Sequence, residues 1–218
     1  MLRELADRPV RRLLQLQAGL VLYGFSSALL VLSGLGLDPW DVLHQGLSRR
    51  IGLGVGTWAI ILGVFVLALW WPLHQRPGVG TLCNVVVVGL VIDIVLALVS
   101  PPSAAGARVG LLIGGVLLNG IATGAYIGAG LGPGPRDGLT TGIAARGHSI
   151  RVVRTAIELA ALAAGWLLGG TVGVGTVVYA LGIGPLTHLT IPALAIRARP
   201  ALDAAGGVDR VASAAVAP

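Results

Sequence analysis

Long uncharged apolar stretches follow one another along this chain, and they predict helices that cross a membrane. A span needs about 20 mostly apolar residues, because the hydrocarbon core of a bilayer is about 30 Å thick. Six stretches have that length once the glycine pair at 169–170 is taken as a break within the last of them. We therefore expect spanning helices near residues 13–37, 51–75, 79–99, 109–135, 150–168 and 176–196.

The composition excludes a soluble or disordered protein. Of the 218 residues, 55% are hydrophobic and only 11% are charged, whereas soluble domains carry about 25% charged residues. The mean hydropathy is +0.89, and disordered chains are poor in apolar residues. The composition therefore predicts an all-α polytopic membrane protein, with the lipid bilayer as its surroundings.

The distribution of arginine predicts the orientation of the chain. All 15 basic residues are Arg. If the N-terminus is inside, the inner segments hold 12 of them and the outer segments hold 3. Positive charge is concentrated on the cytoplasmic side of membrane proteins. We therefore expect a multi-pass protein of the bacterial cytoplasmic (inner) membrane with both termini in the cytoplasm, and no nucleic acid as a partner.

The two halves of the chain resemble each other. Residues 34–50 and 130–146, which are 96 positions apart, are identical at eight of 17 pairs. Each half contains three predicted spans, and because three is odd the second half enters the membrane from the opposite side. The sequence therefore predicts two inverted three-helix repeats, an architecture typical of secondary transporters.

This repeat divides the chain into five segments. Residues 1–12 are expected to form a cytoplasmic N-terminal segment, and residues 197–218 a cytoplasmic, disordered tail. The repeats occupy residues 13–99 and 109–196, and residues 100–108 link them.

Each half contains a glycine-rich break and then a Pro-x-Asp motif that opens a short helical stretch. At 12 residues, the stretches 39–50 and 135–146 reach about 18 Å, too short to cross the membrane. Two readings stay open: an interfacial helix whose aspartate, Asp41 or Asp137, caps its own N-terminus, or a re-entrant half-helix whose N-terminus lines a solute pathway. The helix-break residues are Gly34, Gly36, Pro39, Gly130, Gly132 and Pro135.

Other polar residues lie inside the predicted spans, where ionisable groups are costly and mark functional sites. Asp93 and His188 are repeat mates and could form a proton-titrating pair, or each could bond a neighbouring helix. Glu158 could belong to the pathway, or it could pair with Arg154 at a cytoplasmic helix end. The candidate pathway residues are Tyr23, Asp41, Asp93, Asn119, Arg136, Asp137, Glu158 and His188, with Ser26 and Tyr126 in the same interior.

The sequence contains no metal-ligand spacing, nucleotide-binding fingerprint or nucleophile elbow. The single cysteine, Cys83, excludes an internal disulfide. We therefore expect no enzymatic activity, no cofactor and no metal.

The motifs after the first and fourth predicted spans resemble a known family. Gly-Leu-Gly followed by Asp-Pro-Trp-Asp-Val-Leu, and Gly-Leu-Gly-Pro-Gly-Pro-Arg-Asp-Gly-Leu-Thr-Thr-Gly at 130–142, are similar to the bacterial YczE/YyaS/YitT integral membrane proteins. The resemblance covers about residues 12–197. It implies a membrane protein and makes Pro-Arg-Asp-Gly a family feature, without implying a substrate.

Together these features favour an inner-membrane secondary transporter or permease for a small polar or charged solute, with its site between the two repeats. Three alternatives stay open: an accessory protein that assists a partner without transport, a substrate-capture subunit of a larger importer, and a channel. The expected partners are a small molecule or ion, and a homodimer stays open.

Overall fold

The computed structural model describes residues 8–196, and these form helices joined by turns, without strands. The helices are α1 (Pro9–Ser33), α2 (Pro39–Ile51), α3 (Val55–Trp70), α4 (Val79–Leu98), α5 (Ala105–Gly128), α6 (Pro135–Ala144), α7 (Ile150–Leu167) and α8 (Val174–Leu194). The expectation of an all-α chain is confirmed. The tail 197–218 and residues 1–7 lie outside the described residues, so the expected disorder of the tail stays a prediction.

Four helices within the described residues are long and apolar enough to cross a membrane: α1, α4, α5 and α8. A fifth crossing is formed if α2 and α3 count as one broken span, bent by 114°. Helix α3 alone has 16 residues, which is about 24 Å of helix. Helix α7 carries Arg151, Arg154 and Glu158 near its start. The expectation of six spans is therefore not confirmed, because these two helices are respectively short and charged.

The helix ends differ modestly from the predicted ones. Helix α1 begins at Pro9, four residues before the expected start of the first span, because a proline suits the first turn of a helix. It ends at Ser33, where Gly34 has a φ of 62° that favours glycine. Gly130 has a φ of 69° two residues after the end of α5. The predicted breaks at both glycines thus coincide with helix ends.

Helices α1 and α5 pack against each other in antiparallel orientation. At one end, Arg12 donates to the carbonyl of Ala129 at 2.9 Å. At the other end, Arg108 donates to the carbonyl of Ser33 at 2.7 Å. Each arginine therefore binds the carbonyl end of the other helix, and the two contacts are related by a shift of 96 positions.

Further contacts between the halves also come in pairs, in which each contact has a counterpart 95 or 96 positions along the chain. The backbone N–H of Gly80 donates to Leu131 O at 2.8 Å, and that of Gly175 donates to Leu35 O at 2.7 Å. Helix α4 packs against α1, and α8 packs against α5. Across the halves, α2 packs against α7 and α3 against α6. The two halves are thus not separate units, because helices of the first half pack directly against helices of the second.

The outer surface is apolar, as a lipid-facing surface must be. Large hydrophobic side chains such as Phe65, Trp166 and Leu181 are 59%, 65% and 73% exposed. Soluble proteins rarely expose apolar patches on this scale. The apolar exterior and the spanning helices together identify a helical, multi-pass membrane protein.

Candidate functional site

The first half-helix, α2, begins at a buried aspartate. After Gly36, which has a φ of 124°, the chain turns back and Asp38 takes the N-cap position. Its Oδ1 accepts from the N–H groups of Trp40 and Asp41 at 2.8 and 3.1 Å. Of the two readings left open for Asp41, capping of its own helix does not hold in this half, because Asp38 stands before Pro39 and already accepts from the first free N–H groups.

The second half-helix, α6, begins without a side-chain cap. Gly134 occupies the N-cap position that Asp38 holds in the first half. Asp137 lies in the first turn, and its Oδ2 accepts from the Tyr126 hydroxyl at 3.4 Å. The carboxylate of Asp137 therefore contacts α5, and no side chain caps its own helix.

The N-termini of the two half-helices meet at a half-open cavity of about 80 Å³ between the helices. That volume holds a few water molecules or a small ion. The wall formed by α3 and α4 is apolar except for Asn84. The other wall is polar and comes from α1, α5, α2 and the start of α6. The polar and aromatic lining residues are Tyr23, Asp38, Trp40, Asp41, His44, Asn84, Tyr126 and Arg136.

Arg136 joins the two halves across this cavity. Its guanidinium donates to the hydroxyl of Tyr23 on α1. It also lies 3.7 Å from Oδ1 of Asp38 and 5.9 Å from the centre of the Tyr23 ring. Tyr23 in turn contacts Tyr126 edge to face, with ring centres 5.9 Å apart. A cation from the second half is thus held against a carboxylate and an aromatic ring of the first.

Asp41 lies one turn beyond Asp38 and is 5% exposed. Its Oδ1 is 3.1 Å from Nδ1 of His44 on the same helix. Its Oδ2 has no hydrogen-bond partner among the described residues, and the same is true of the buried hydroxyl of Ser27 on α1. One oxygen of the buried Asp41 carboxylate is therefore without a hydrogen-bond partner among the described residues.

Asn119 forms a separate buried network on the interface of α1, α5 and α8. Its Nδ2 donates to Ser26 Oγ at 3.0 Å, and its Oδ1 accepts from the Tyr179 hydroxyl at 3.0 Å. Asn119 is fully buried and does not line the cavity. Asn119 and Ser26 thus contact each other, and they join helices beside the candidate site.

Asp93 caps a neighbouring helix. Its two carboxylate oxygens accept from the N–H groups of Gly56 and Thr57 at 2.7 and 2.8 Å, and from Thr57 Oγ1 at 2.7 Å. These N–H groups belong to the first turn of α3, whose own cap residue, Gly54, has no side chain. This geometry corresponds to the reading in which Asp93 bonds a neighbouring helix.

The remaining candidates lie away from the cavity. His188 is exposed on α8, and within residues 8–196 no hydrogen bond or ion pair joins it to Asp93. Glu158 pairs with Arg154 at 3.1 Å, with side chains 39% and 61% exposed. Three of the eight candidate pathway residues line the cavity: Tyr23, Asp41 and Arg136. A fourth, Asp137, accepts a hydrogen bond from the lining residue Tyr126.

Sequence reasoning missed two residues of this site, Asp38 and His44. The signal for Asp38 was present, because an aspartate directly before a proline that starts a helix is a favoured N-cap. His44 lies three residues after Asp41, on the same face of a helix. It has no histidine mate in the second half, where Thr140 holds its position, so the repeat gave no signal for it.

Comparisons with known proteins agree with the motif-based resemblance. A family model described as a family of unknown function, DUF6198, matches residues 10–192. An uncharacterised protein of Haemophilus influenzae is 40% identical over 177 residues, which cover 81% of each chain. The uncharacterised membrane protein YczE of Bacillus subtilis is 35% identical over 80% of this chain and 83% of its own. YyaS of the same organism is 30% identical over 80% and 89%. No solved structure matches the chain.

Proposed function

We propose that this chain, which belongs to the DUF6198 family of unknown function, is a secondary transporter or permease for a small polar or charged solute. The observation that carries the proposal is the charged cavity at which the N-termini of two half-helices meet. Discontinuous helices at matching positions of two repeats surround the substrate sites of many transporters. The protein would move its solute without chemical change.

Paired contacts support an inverted-repeat architecture. Helices α1 and α5 hold corresponding positions in the two halves, and they pack antiparallel. The contacts of Arg12 and Arg108, and those of Gly80 and Gly175, recur after a shift of 95 or 96 positions. Such exchange of contacts is expected from a two-fold axis between the halves. We therefore propose two inverted repeats of three membrane-crossing segments each, in which α3 and α7 are the short or charged members.

The arginine distribution supports the orientation. The start of α1 and the ends of α5 and α8 lie together, because Arg12 donates to both Ala129 O and Ile196 O. One membrane face therefore carries the ends of the described chain. We propose that this face is cytoplasmic and that the membrane is the bacterial inner membrane. Modification of a cysteine at either terminus by a reagent confined to the periplasm would contradict this orientation.

The mechanism we propose is rocking of the halves about the cavity. Arg136 of the second half binds Asp38 and Tyr23 of the first, so relative movement of the halves would change the charges that face a bound solute. Asp41 and Asp137 lie in the first turns of the two half-helices, close to the positive ends of the helix dipoles. A charged solute would exchange one set of partners for the other as the halves move.

The test is solute flux into liposomes that contain the purified protein. A panel of amino acids, carboxylates, amines and inorganic ions is offered with and without a proton gradient. Asp41→Asn and Asp137→Asn keep the shape of each side chain and one acceptor oxygen, and remove the charge. We expect at least one of them to abolish flux while the folded yield stays near that of the wild type.

Arg50→Gln is the matched control, because Arg50 is exposed at the far end of α2. It should transport as the wild type does. Wild-type flux in both aspartate variants and in the double variant would contradict the role given to these carboxylates. A protein with no flux for any solute in the panel would favour the accessory-protein alternative.

A further inference from the structure

We propose that the cavity binds a small monocarboxylate with a short apolar chain, and that the guanidinium of Arg136 holds its carboxylate group. The inference rests on the proposed function in one respect, because it treats the cavity as the place where the solute binds. It goes further in naming the charge, the size and the apolar end of that solute.

The first observation is the sign of the charge that a solute in the cavity can touch. Four lining residues are ionisable: Asp38, Asp41, His44 and Arg136. The side chains of Asp38 and Asp41 are 2% and 7% exposed, whereas that of Arg136 is 30% exposed. Both carboxylates are also turned onto their own helix, Asp38 by capping it and Asp41 by its contact with His44. The carboxylate of Asp137 lines a neighbouring pocket, so the accessible charge of the cavity is the guanidinium, which attracts an anion.

The second observation is that most of the donors of Arg136 are unused. A guanidinium has five N–H donors, and among the described residues they form one hydrogen bond, to the hydroxyl of Tyr23. Oδ1 of Asp38 lies 3.7 Å from Nη1, which is farther than an ordinary hydrogen bond. Guanidinium and carboxylate groups often pair through two parallel N–H···O bonds. Arg136 therefore has donors left for the carboxylate of a solute.

Two further donors at the cavity lack an acceptor among the described residues. One is the side-chain amide of Asn84, which lines the cavity from α4. The other is the backbone N–H of Arg136 in the first turn of α6, where Gly134 supplies no capping side chain. The corresponding N–H in the first half, that of Trp40, is satisfied by the carboxylate of Asp38. A carboxylate brought by the solute would give the second half the acceptor that the first half carries in its own sequence.

The size and the apolar wall of the cavity define the rest of the solute. Ala59 and Val66 of α3 and Val85 and Ile92 of α4 line that wall. A volume of about 80 Å³ is close to that of three liquid water molecules, which suits an anion of about two to four carbon atoms. A short alkyl chain gains free energy when it is buried against such a wall, whereas an inorganic anion would leave the wall in contact with water. Acetate, propionate and lactate have the required charge and size.

The experiment measures thermal unfolding of the purified full chain in detergent at fixed pH and ionic strength. Sodium propionate replaces sodium gluconate, whose anion is too large for the cavity. A ligand that binds only the folded state raises the melting temperature as its concentration passes the dissociation constant. Propionamide has nearly the same shape without the charge, and propylammonium gluconate supplies a cation of similar size. We expect a saturable rise with propionate, and none with propionamide or propylammonium.

Arg136→Gln should weaken the apparent affinity for propionate about tenfold or more, because a hydrogen-bonded charge is lost. Arg50→Gln, at the exposed far end of α2, should bind as the wild type does. If Arg136→Gln fails to fold, Asn84→Ala serves instead, and it should weaken the affinity about threefold to tenfold through loss of one donor. The proposal is overturned by the absence of a propionate-specific rise, by an equal rise with propionamide or propylammonium, or by wild-type affinity in the variant of Arg136 or, in its place, of Asn84.

The outcome is separable from that of the transport proposal. Flux of another class of solute, without a propionate-specific rise, removes the carboxylate site and keeps transport. A propionate-specific rise that depends on Arg136, in a protein without flux for any solute, keeps the site and removes transport.

Discussion

Replacement of Asp93 tests whether an ionisable residue inside a spanning helix is structural. Asp93 lies on α4, and its carboxylate accepts from two backbone N–H groups and one hydroxyl at the start of α3. The first turn of a helix has N–H groups without intrahelical partners. Asp93→Ala would leave those of Gly56 and Thr57 unsatisfied, and Asp93→Asn would keep one acceptor oxygen.

The magnitude follows from the number and kind of bonds. A hydrogen bond to a charged group contributes about 1.5–3 kcal/mol, and an unsatisfied buried donor costs about 1–3 kcal/mol. Loss of the Asp93 carboxylate should therefore lower the free energy of unfolding by about 3–5 kcal/mol. For a chain of about this size each kcal/mol shifts the melting temperature by about 2–4 °C. The alanine variant should melt about 10 °C lower, and the asparagine variant about half as far below the wild type.

The assay is thermal unfolding in detergent, followed by flux measurements on the variants that remain folded. The control is His188→Gln, because His188 is the repeat mate of Asp93 and is exposed; its melting temperature should be unchanged. An Asp93→Asn protein that melts with the wild type but has lost proton-dependent flux would refute the capping explanation. It would restore the titrating role that the sequence first suggested.

Three further changes have defined outcomes. Gly138→Ala should abolish the folded yield, because a Cβ there would lie 2.0 Å from Cζ2 of Trp70, whereas Gly114→Ala, with nothing within 4 Å, should express normally. Asn119→Ala should lower the free energy of unfolding by about 2–3 kcal/mol in a denaturation assay, because the Tyr179 hydroxyl loses its acceptor and the Ser26 hydroxyl loses a donor; an unchanged midpoint would contradict that network. Arg108→Gln should lower it by about 1–3 kcal/mol by freeing two carbonyls at the end of α1, and full stability in this variant would show that the clamp is dispensable.

Local sequence signals predicted the helices well. Apolar runs, glycine pairs and prolines each act within a few residues, so the eight helices fall close to the expected segments. Helix α3 is shorter than the stretch 51–75, because Gly54 takes its N-cap position and Pro72 lies two residues after its end at Trp70. Hydropathy alone does not show these ends, because apolar residues continue on both sides of them. The number of crossings therefore stayed open.

The site was only partly predictable, because its members depend on tertiary packing. The repeat predicted Asp41, Asp137 and Arg136 as site residues, because two similar motifs at corresponding positions can be recognised in a single sequence. The backbone N–H groups that Asp93 caps at the start of α3 lie 36–37 positions away, and no spacing rule links Asp93 to them. The repeat also does not carry the environment of a residue from one half to the other: Trp70 is 2% exposed, and Trp166, which lies 96 positions later, is 65% exposed.

The central claim, that the charged cavity is a pathway through the membrane, is tested most directly by cysteine accessibility. Cys83 is the single cysteine of the chain, so Cys83→Ala gives a background without thiols. Ala59→Cys places a thiol on the apolar wall of the cavity, and Leu181→Cys places one on the apolar exterior as the control. A membrane-impermeant thiol reagent is applied to right-side-out and inside-out vesicles. The account predicts that the cysteine at position 59 reacts from both sides and the one at position 181 from neither. Protection of position 59 from both sides, or reaction from one side alone under every ion and solute condition, would contradict it.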